Sequence, residues 1–303
     1  MALLGRMISA GALLALSACV ASEEPEAPGP VAVPATTPPV APPPSPPEPA
    51  RPATFSIAGE FTQGGWLRGT APGGTQSLTL GGAPVDVAPD GSFFAAFDRD
   101  AGPSALLVAA LADGQTITRQ LTISPRNWNI ERVNVARRAG GPSEAFMRIR
   151  RPELAAIGAA RAKDTGAKGW KQDFIWPVTG RISGRFGSQR IYRGEPGSYH
   201  SGLDIAGGSG TPFVAPADGT VILAATTPFS LEGHLLMLDH GMGLNSAFLH
   251  CSDILVREGE VVKQGQVIGR IGATGRATGP HLHWGLKWND ARLDPLLFVG
   301  PMP

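Results

Sequence analysis

Between Thr54 and Ser124 apolar and polar residues alternate in short runs, Ser77-Leu-Thr-Leu80, Pro84-Val-Asp-Val87, Ser92-Phe-Phe-Ala-Ala-Phe97 and Thr116-Ile-Thr-Arg-Gln-Leu-Thr-Ile123. Gly81-Gly82, Asp90-Gly91 and Asp113-Gly114 punctuate them. Period-two runs separated by tight-turn residues predict a small β-sandwich-like module over residues 54–124. A second set of short apolar runs, Ile175-Trp-Pro-Val178, Thr220 to Ala225, His234 to Asp239 and Gln266 to Ile271, is cut by Gly, Pro and Asp, and predicts an antiparallel β domain over residues 174–303. Residues 125–173 read differently. Pro142-Ser-Glu opens one helical pattern, and Pro152-Glu-Leu-Ala-Ala-Ile-Gly-Ala-Ala-Arg161 opens a second with proline in its first turn. The fold class expected is therefore mainly β, two β modules joined by a helical connector.

Residues 1–53 have neither period. Residues 1–18 carry Arg6 and an apolar stretch from Ile8 to Leu16, too short to span a bilayer, which reads as a secretory signal. Leu16-Ser-Ala-Cys19 resembles a bacterial lipoprotein processing site, with Cys19 as the lipidated first residue of the mature chain. Several acyl chains would anchor it stably. Val20 follows the cysteine where aspartate would favour inner-membrane retention, so the expected address is the cell envelope, facing the periplasm from the outer membrane. Residues 19–53 are dominated by Pro, Ala, Glu, Val and Thr, including Pro42-Pro-Pro-Ser-Pro-Pro47. Such a segment buries no core; it is a tether whose stretch from Glu23 to Pro52 reaches, as polyproline II, on the order of 90 Å at about 3.1 Å per residue.

Composition narrows the picture. The chain has 303 residues with 40 Gly and 29 Pro, the prolines largely in the tether, and its 42% hydrophobic content suffices for two modest cores. The connector is basic, with Arg137-Arg138, Arg148-Ile-Arg-Arg151, Lys163, Lys168 and Lys171, and reads as a solvated basic surface able to meet an acidic wall or lipid. A formal net charge of +1 and a secreted location argue against nucleic acid. Cys251 is the only cysteine besides Cys19, so no disulfide framework exists. Asp86, Asp98 and Asp100 read as solvated turn residues rather than a calcium cluster.

The candidate chemistry lies in four of the six histidines: His200-Ser-Gly-Leu-Asp204, Phe248-Leu-His250 and His281-Leu-His283. His281 to Trp284, with glycines on either side, suits a strand, in which residues two apart share a face. Both His281 and His283 would then look into one cavity, where one can ligate a metal and the other stay free. His200 and Asp204 can complete a three-ligand zinc site that leaves a fourth position open. His234 and His240, beside Gly233 and Gly241, read as turn or surface residues.

Residues from about Phe174 to Phe298 resemble the lysostaphin-type zinc endopeptidases that cut bacterial peptidoglycan. The likeness is carried by His200-x-x-x-Asp204, by Asp239-His240-Gly241 leading to Phe248-x-His250, and by Thr274-Gly-Arg-Ala-Thr-Gly-Pro-His281-Leu-His283. It implies one zinc per chain on His200, Asp204 and His283, with His250 and His281 as unligated catalytic histidines. It also implies peptidoglycan stem peptides as substrate. With an outer-membrane address, the expected bond joins D-alanine to diaminopimelate, and Tyr192, Tyr199 and Asn245 are weaker candidates for holding the peptide. The chain departs from the family pattern in having Phe248 where tyrosine is frequent and Cys251 where an aliphatic residue is usual. A cysteine hydrolase is disfavoured, because neighbours on a strand face opposite ways. A biotinyl or lipoyl carrier would need a lysine at a hairpin tip, which is not seen. The remaining alternative is a non-catalytic envelope lipoprotein that regulates another wall hydrolase, for which a protein partner would be required.

Overall fold

The computed structural model describes residues 51–137 and 140–303. The signal peptide, Cys19, most of the tether and Arg138 lie outside the described residues. Among those described, no helix is long and apolar enough to cross a membrane.

The first seven strands are β1 (Ser56–Gly59), β2 (Trp66–Thr70), β3 (Thr75–Leu80), β4 (Ala83–Val85), β5 (Ser92–Ala96), β6 (Ser104–Leu111) and β7 (Thr116–Thr122). They form two antiparallel sheets, β1-β2-β5 and β4-β3-β6-β7. The pairing puts Leu78, Leu80, Leu107, Ala109 and Leu121 of one sheet and Leu67, Phe93 and Phe94 of the other into a common interior. The expected module is there, with β6 as its added centre. The run Ala105-Leu-Leu-Val-Ala-Ala-Leu111 lacks alternation, so its pattern fits a buried helix as well as a strand.

This interior does not stop at residue 124. Trp66 stacks beside Phe94 and Phe298, Phe94 meets Trp288, and the Trp66 indole N–H donates to the Leu297 carbonyl at 2.7 Å. Arg126 pairs with the buried Asp294 at 2.7 Å, and the Arg292 N–H donates to Asp98 at 3.0 Å. Instead of two modest cores there is one apolar cluster shared by both modules. Asp98 is thus a backbone acceptor, not part of a cation site.

The connector contributes β8 (Ile130–Val133) and a single helix, α1 (Glu144–Arg161), not two. Ser143 caps it by accepting from the Phe146 N–H at 3.2 Å. Pro152 lies inside α1, where it forfeits one backbone hydrogen bond without ending the helix. Packing supplies the difference: Ala160 and Ile157 sit on a buried apolar cluster. Arg150 is also buried, held bidentately by Glu232 at 2.6 Å on each arm and by Glu153 at 2.8 Å. The basic connector is therefore partly an interior element.

The rest of the chain adds β9 (Ile182–Gly184), β10 (Gln189–Tyr192), β11 (Glu195–Tyr199), β12 (Leu203–Ala206), β13 (Pro212–Val214), β14 (Gly219–Phe229), β15 (Gly233–Gly241), β16 (Leu244–Cys251), β17 (Asp253–Ile254), β18 (Val261–Val262), β19 (Val267–Arg270), β20 (His281–Trp288) and β21 (Ala291–Leu293). Their main sheet runs β18-β14-β15-β16-β20-β12-β9, with β21 beside β20, and every pairing in it is antiparallel. The smaller sheets are β13-β19-β17 and β11-β10-β8. Ile175–Val178 forms no strand, since Pro177 cannot donate to a ladder. One face of the main sheet buries Leu236, Leu238, Phe248, Leu282, Trp284 and Leu286 in the shared core. The other is covered at β14, β15 and β16 by α1 and left open toward β20 and β12.

His240 corrects the surface reading. It is fully buried on β15, and its neighbours are connected in one direction: Trp284 Nε1–H donates to Ser246 Oγ at 3.3 Å, Ser246 Oγ–H to His240 Nε2 at 2.7 Å, and His240 Nδ1–H to the Asp218 carbonyl at 2.8 Å. Every polar atom in that chain is satisfied with the imidazole neutral, and burial pushes its pKa down to about 4. His234 is half-buried on β15 as well, its Nδ1 3.3 Å from the Ala225 carbonyl.

Because unfolded His240 binds its proton near pH 6.5 and folded His240 does so only near 4, its contribution is complete above pH 6.5 and is lost as pH falls through that window. The loss should reach on the order of 3 kcal/mol. Urea midpoints measured from pH 7 to pH 4 check this: a His240→Gln variant should start less stable and show a visibly flatter pH dependence, and an unchanged slope would contradict it.

Candidate metal centre

The sheet register builds the site. On β20, His281 and His283 share the open face, and pairing with β12 sets Asp204 directly opposite His283. His200, just before β12, completes the group. His200 Nε2 is 3.0 Å from Asp204 Oδ1, His283 Nδ1 is 2.8 Å from the same oxygen, and the two ring nitrogens are 3.1 Å apart. Among the described residues this is the only cluster of such groups that can hold a metal ion. Gly202 in the loop between is required by close packing: a Cβ there would stand 2.6 Å from His283 Nε2.

The donor set fits zinc. His200 Nδ1 lies 3.1 Å from the Arg185 carbonyl, so that nitrogen carries the proton and Nε2 offers its lone pair to the cluster. Two imidazole nitrogens and a carboxylate oxygen brought within 2.8 to 3.1 Å of one another are the nitrogen and oxygen donors that zinc takes. Burial would raise the Asp204 pKa, but the hydrogen bonds from His200 and His283 outweigh it and hold the carboxyl far below the usual range. Burial lowers the His283 pKa, which favours the neutral ring a metal needs. At His200 burial is outweighed by Asp204, and the pKa rises.

His250 reaches the site by breaking the strand pattern. Regular alternation would put it on the core side with Phe248, yet its φ is +64°, and four residues of β16 oppose three of β15 here (Phe248 to Cys251 against Leu236 to His234). This bulge turns the imidazole onto the open face, 5.0 Å from the His281 ring and 6.3 Å from that of His283. The His250 N–H donates to the Glu232 carbonyl at 2.8 Å, and Nδ1 lies 2.8 Å from the Thr274 carbonyl. Gly275 lets that loop come close, since a Cβ on it would be 2.3 Å from the Gly233 nitrogen. His281 is tied likewise, Nδ1 to the Gly279 carbonyl at 2.8 Å, with Nε2 at 3.7 Å from Asp204 Oδ1. Burial lowers the His250 pKa, and His281 and His283 add to it.

Cys251 is buried, and burial pushes its thiol up to about 12, so no thiolate nucleophile is present. Tyr199, beside His200, is flanked by the guanidinium groups of Arg99 at 4.6 Å and Arg292 at 5.3 Å. Tyr192 stands at the outer end of the β10–β11 hairpin. Asn245 shares the open face but is buried at the far end of β16, about 13 Å along the strand from Leu249, the partner of His283. Neither Tyr192 nor Asn245 is brought to the histidines.

A cleft of about 230 Å³ opens from His283 across Leu249, Ala247 and Gly285, with α1 as one wall and Lys287 and Arg292 at its end. Sequence reasoning did not find this wall. The only signal available was the apolar spacing of Leu154, Ile157 and Ala160, which marks a buried helix face without saying what it covers.

A model described as Peptidase family M23 matches residues 198–295. A crystal structure of a peptidase assigned to M23 from Pseudomonas aeruginosa is 30% identical, with a TM-score of 0.61, and the likeness covers 80% of this chain and 95% of that one. The peptidoglycan DD-endopeptidase ShyA of Vibrio cholerae is 40% identical over 110 residues, 35% of this chain and 24% of that protein. A lipoprotein NlpD/LppB homolog of Pseudomonas aeruginosa is 36% identical over 133 residues, 43% of this chain and 40% of that protein. The chain thus spans well under half the length of these two curated relatives.

Proposed function

The chain belongs to peptidase family M23, and from that premise we propose that it is a zinc-dependent endopeptidase cutting peptide cross-links of bacterial peptidoglycan. The observation that carries this is the convergence of His200, Asp204 and His283 beside two histidines that are tied at Nδ1. Zinc held by His200, Asp204 and His283 would supply a water of lowered pKa, about 7, and polarisation of a carbonyl.

The protein's own residues supply the proton transfers. With Nδ1–H of both His250 and His281 donated to carbonyls, each ring offers only Nε2 to the cleft. A neutral ring accepts a proton there from the attacking water. Once charged, it donates to the developing oxyanion or to the departing amine. Burial keeps His250 neutral near pH 7, which suits the accepting role. The non-catalytic regulator gives no reason for keeping this complete set.

The resemblance of Leu16-Ser-Ala-Cys19 to a lipoprotein site supports an envelope location, and for that wall we favour the bond between D-alanine and diaminopimelate over glycine bridges. Mass spectrometry of muropeptides tests the bond. Dimers joined through D-alanine and diaminopimelate should fall to monomers while glycine-bridged dimers persist, and the reverse preference would overturn the assignment.

The anchor is tested separately. Cys19→Ser should leave the mature protein without an acyl mass and off the membrane. Unchanged membrane association in that variant would reject Cys19 as the attachment site.

A further inference from the structure

The cleft beside His283 is lined by four cationic side chains. Arg150, Arg161, Lys287 and Arg292 line it against one acid, Glu232, which is already occupied bidentately by Arg150. Lys287 is engaged by Asp290 at 3.2 Å, and Arg292 lies 5.3 Å over the Tyr199 ring. Arg161 is different. It ends α1, is half-buried, and makes no hydrogen bond or ion pair with any described residue; its Nε is buried without a partner. A guanidinium N–H shut off from water with no acceptor is costly unless something else provides one, and here that N–H is Nε. Burial lowers the Arg161 pKa, Arg292 adds to this, and Glu232 and Asp290 offset it only in part.

The spacing says what the missing acceptor is attached to. His283, Gly285 and Lys287 follow one another on the open face of β20. From His283 to Lys287 is about 13 Å along the strand, the length of roughly four extended residues. The floor between them is Ala247, Leu249 and Gly285, small and apolar, suited to an extended peptide.

We infer that this cleft is the substrate groove and that Arg161 binds the free C-terminal carboxylate of a wall peptide whose scissile carbonyl lies at the metal centre. The inference rests on the proposed endopeptidase reading and adds to it a rule of selection: stems ending in a free carboxylate near the cut are preferred over stems ending in an amide. A planar guanidinium facing a carboxylate makes two charge-assisted hydrogen bonds, which a carboxamide cannot match.

The test uses the full chain, zinc-loaded, on cross-linked muropeptide dimers with either a C-terminal carboxylate or the corresponding carboxamide. The unaltered protein should favour the carboxylate about ten- to hundredfold in kcat/KM. In Arg161→Gln that ratio should collapse toward one through a rise in KM, with zinc content unchanged, and Arg161→Lys should restore part of it. Equal cleavage of both dimers by the unaltered protein, or an undiminished ratio in a folded Arg161→Gln, would overturn the inference.

Calorimetric titration of both dimers into the zinc-loaded His281→Ala protein separates the two readings. Carboxylate-dependent binding that vanishes when Arg161→Gln is added, without turnover in the unaltered protein, would keep the groove and reject the endopeptidase. Turnover with no dependence on the carboxylate in binding would do the opposite.

Discussion

His283→Ala should strip the protein of zinc and abolish hydrolysis together. His283 Nδ1 is one of three donor atoms lying 2.8 to 3.1 Å from one another, and no described side chain stands ready to replace it. Residues that merely orient a ligand cost 10–100-fold in metal affinity when lost, so removal of a ligand should cost more than about a hundredfold. His281, the nearest alternative, is fixed by its Nδ1 bond to Gly279 with Nε2 at 3.7 Å from Asp204. Metal analysis after dialysis checks this. A variant that keeps one zinc per chain would reject the ligand assignment.

The second large effect separates proton transfer from metal binding. His250→Ala and His281→Ala should each lower kcat by about 10²–10⁴-fold while zinc stays bound. Glu232 connects this outcome to α1. Its carbonyl holds the His250 N–H, and its carboxylate is held by Arg150. An Arg150→Met variant should therefore lower kcat through a misplaced His250, by less than His250→Ala does, and again with zinc retained. Loss of zinc in any of the three would show that the histidines and the metal are not separable.

The gathering of His200, Asp204, His281 and His283 was legible in strand geometry, since residues two apart on β20 share a face and the segment from His200 to Asp204 runs opposite; which of them would hold a metal was implied only by the family resemblance. The position of His250 was not. Alternation places it with Phe248 in the core, and only the bulge with φ +64° reverses that, a feature that depends on how β16 meets β15 and on the Glu232 and Thr274 carbonyls. Pro152 misled in the other direction. It reads as a helix start, whereas packing of Ala160 and Ile157 and the burial of Arg150 against Glu232 carry one helix through it. His240 looked superficial beside a glycine, yet the chain of donors from Trp284 through Ser246 to Asp218 makes it an interior residue. These are long-range contacts, which local periodicity does not encode. The single core shared by the two β modules is of the same kind, since Trp66 meets Phe298 across 232 positions of sequence.

One incubation tests zinc-dependent cleavage most directly. The protein is first freed of metal by chelation, then divided, and one half is given back a single equivalent of zinc before both are mixed with purified cross-linked muropeptide dimers. Mass spectrometry should find dimers converted to monomers, each cleavage adding one water, in the zinc-restored half alone. Intact dimers in a sample whose zinc occupancy is confirmed, or equal cleavage in the metal-free half, would contradict it.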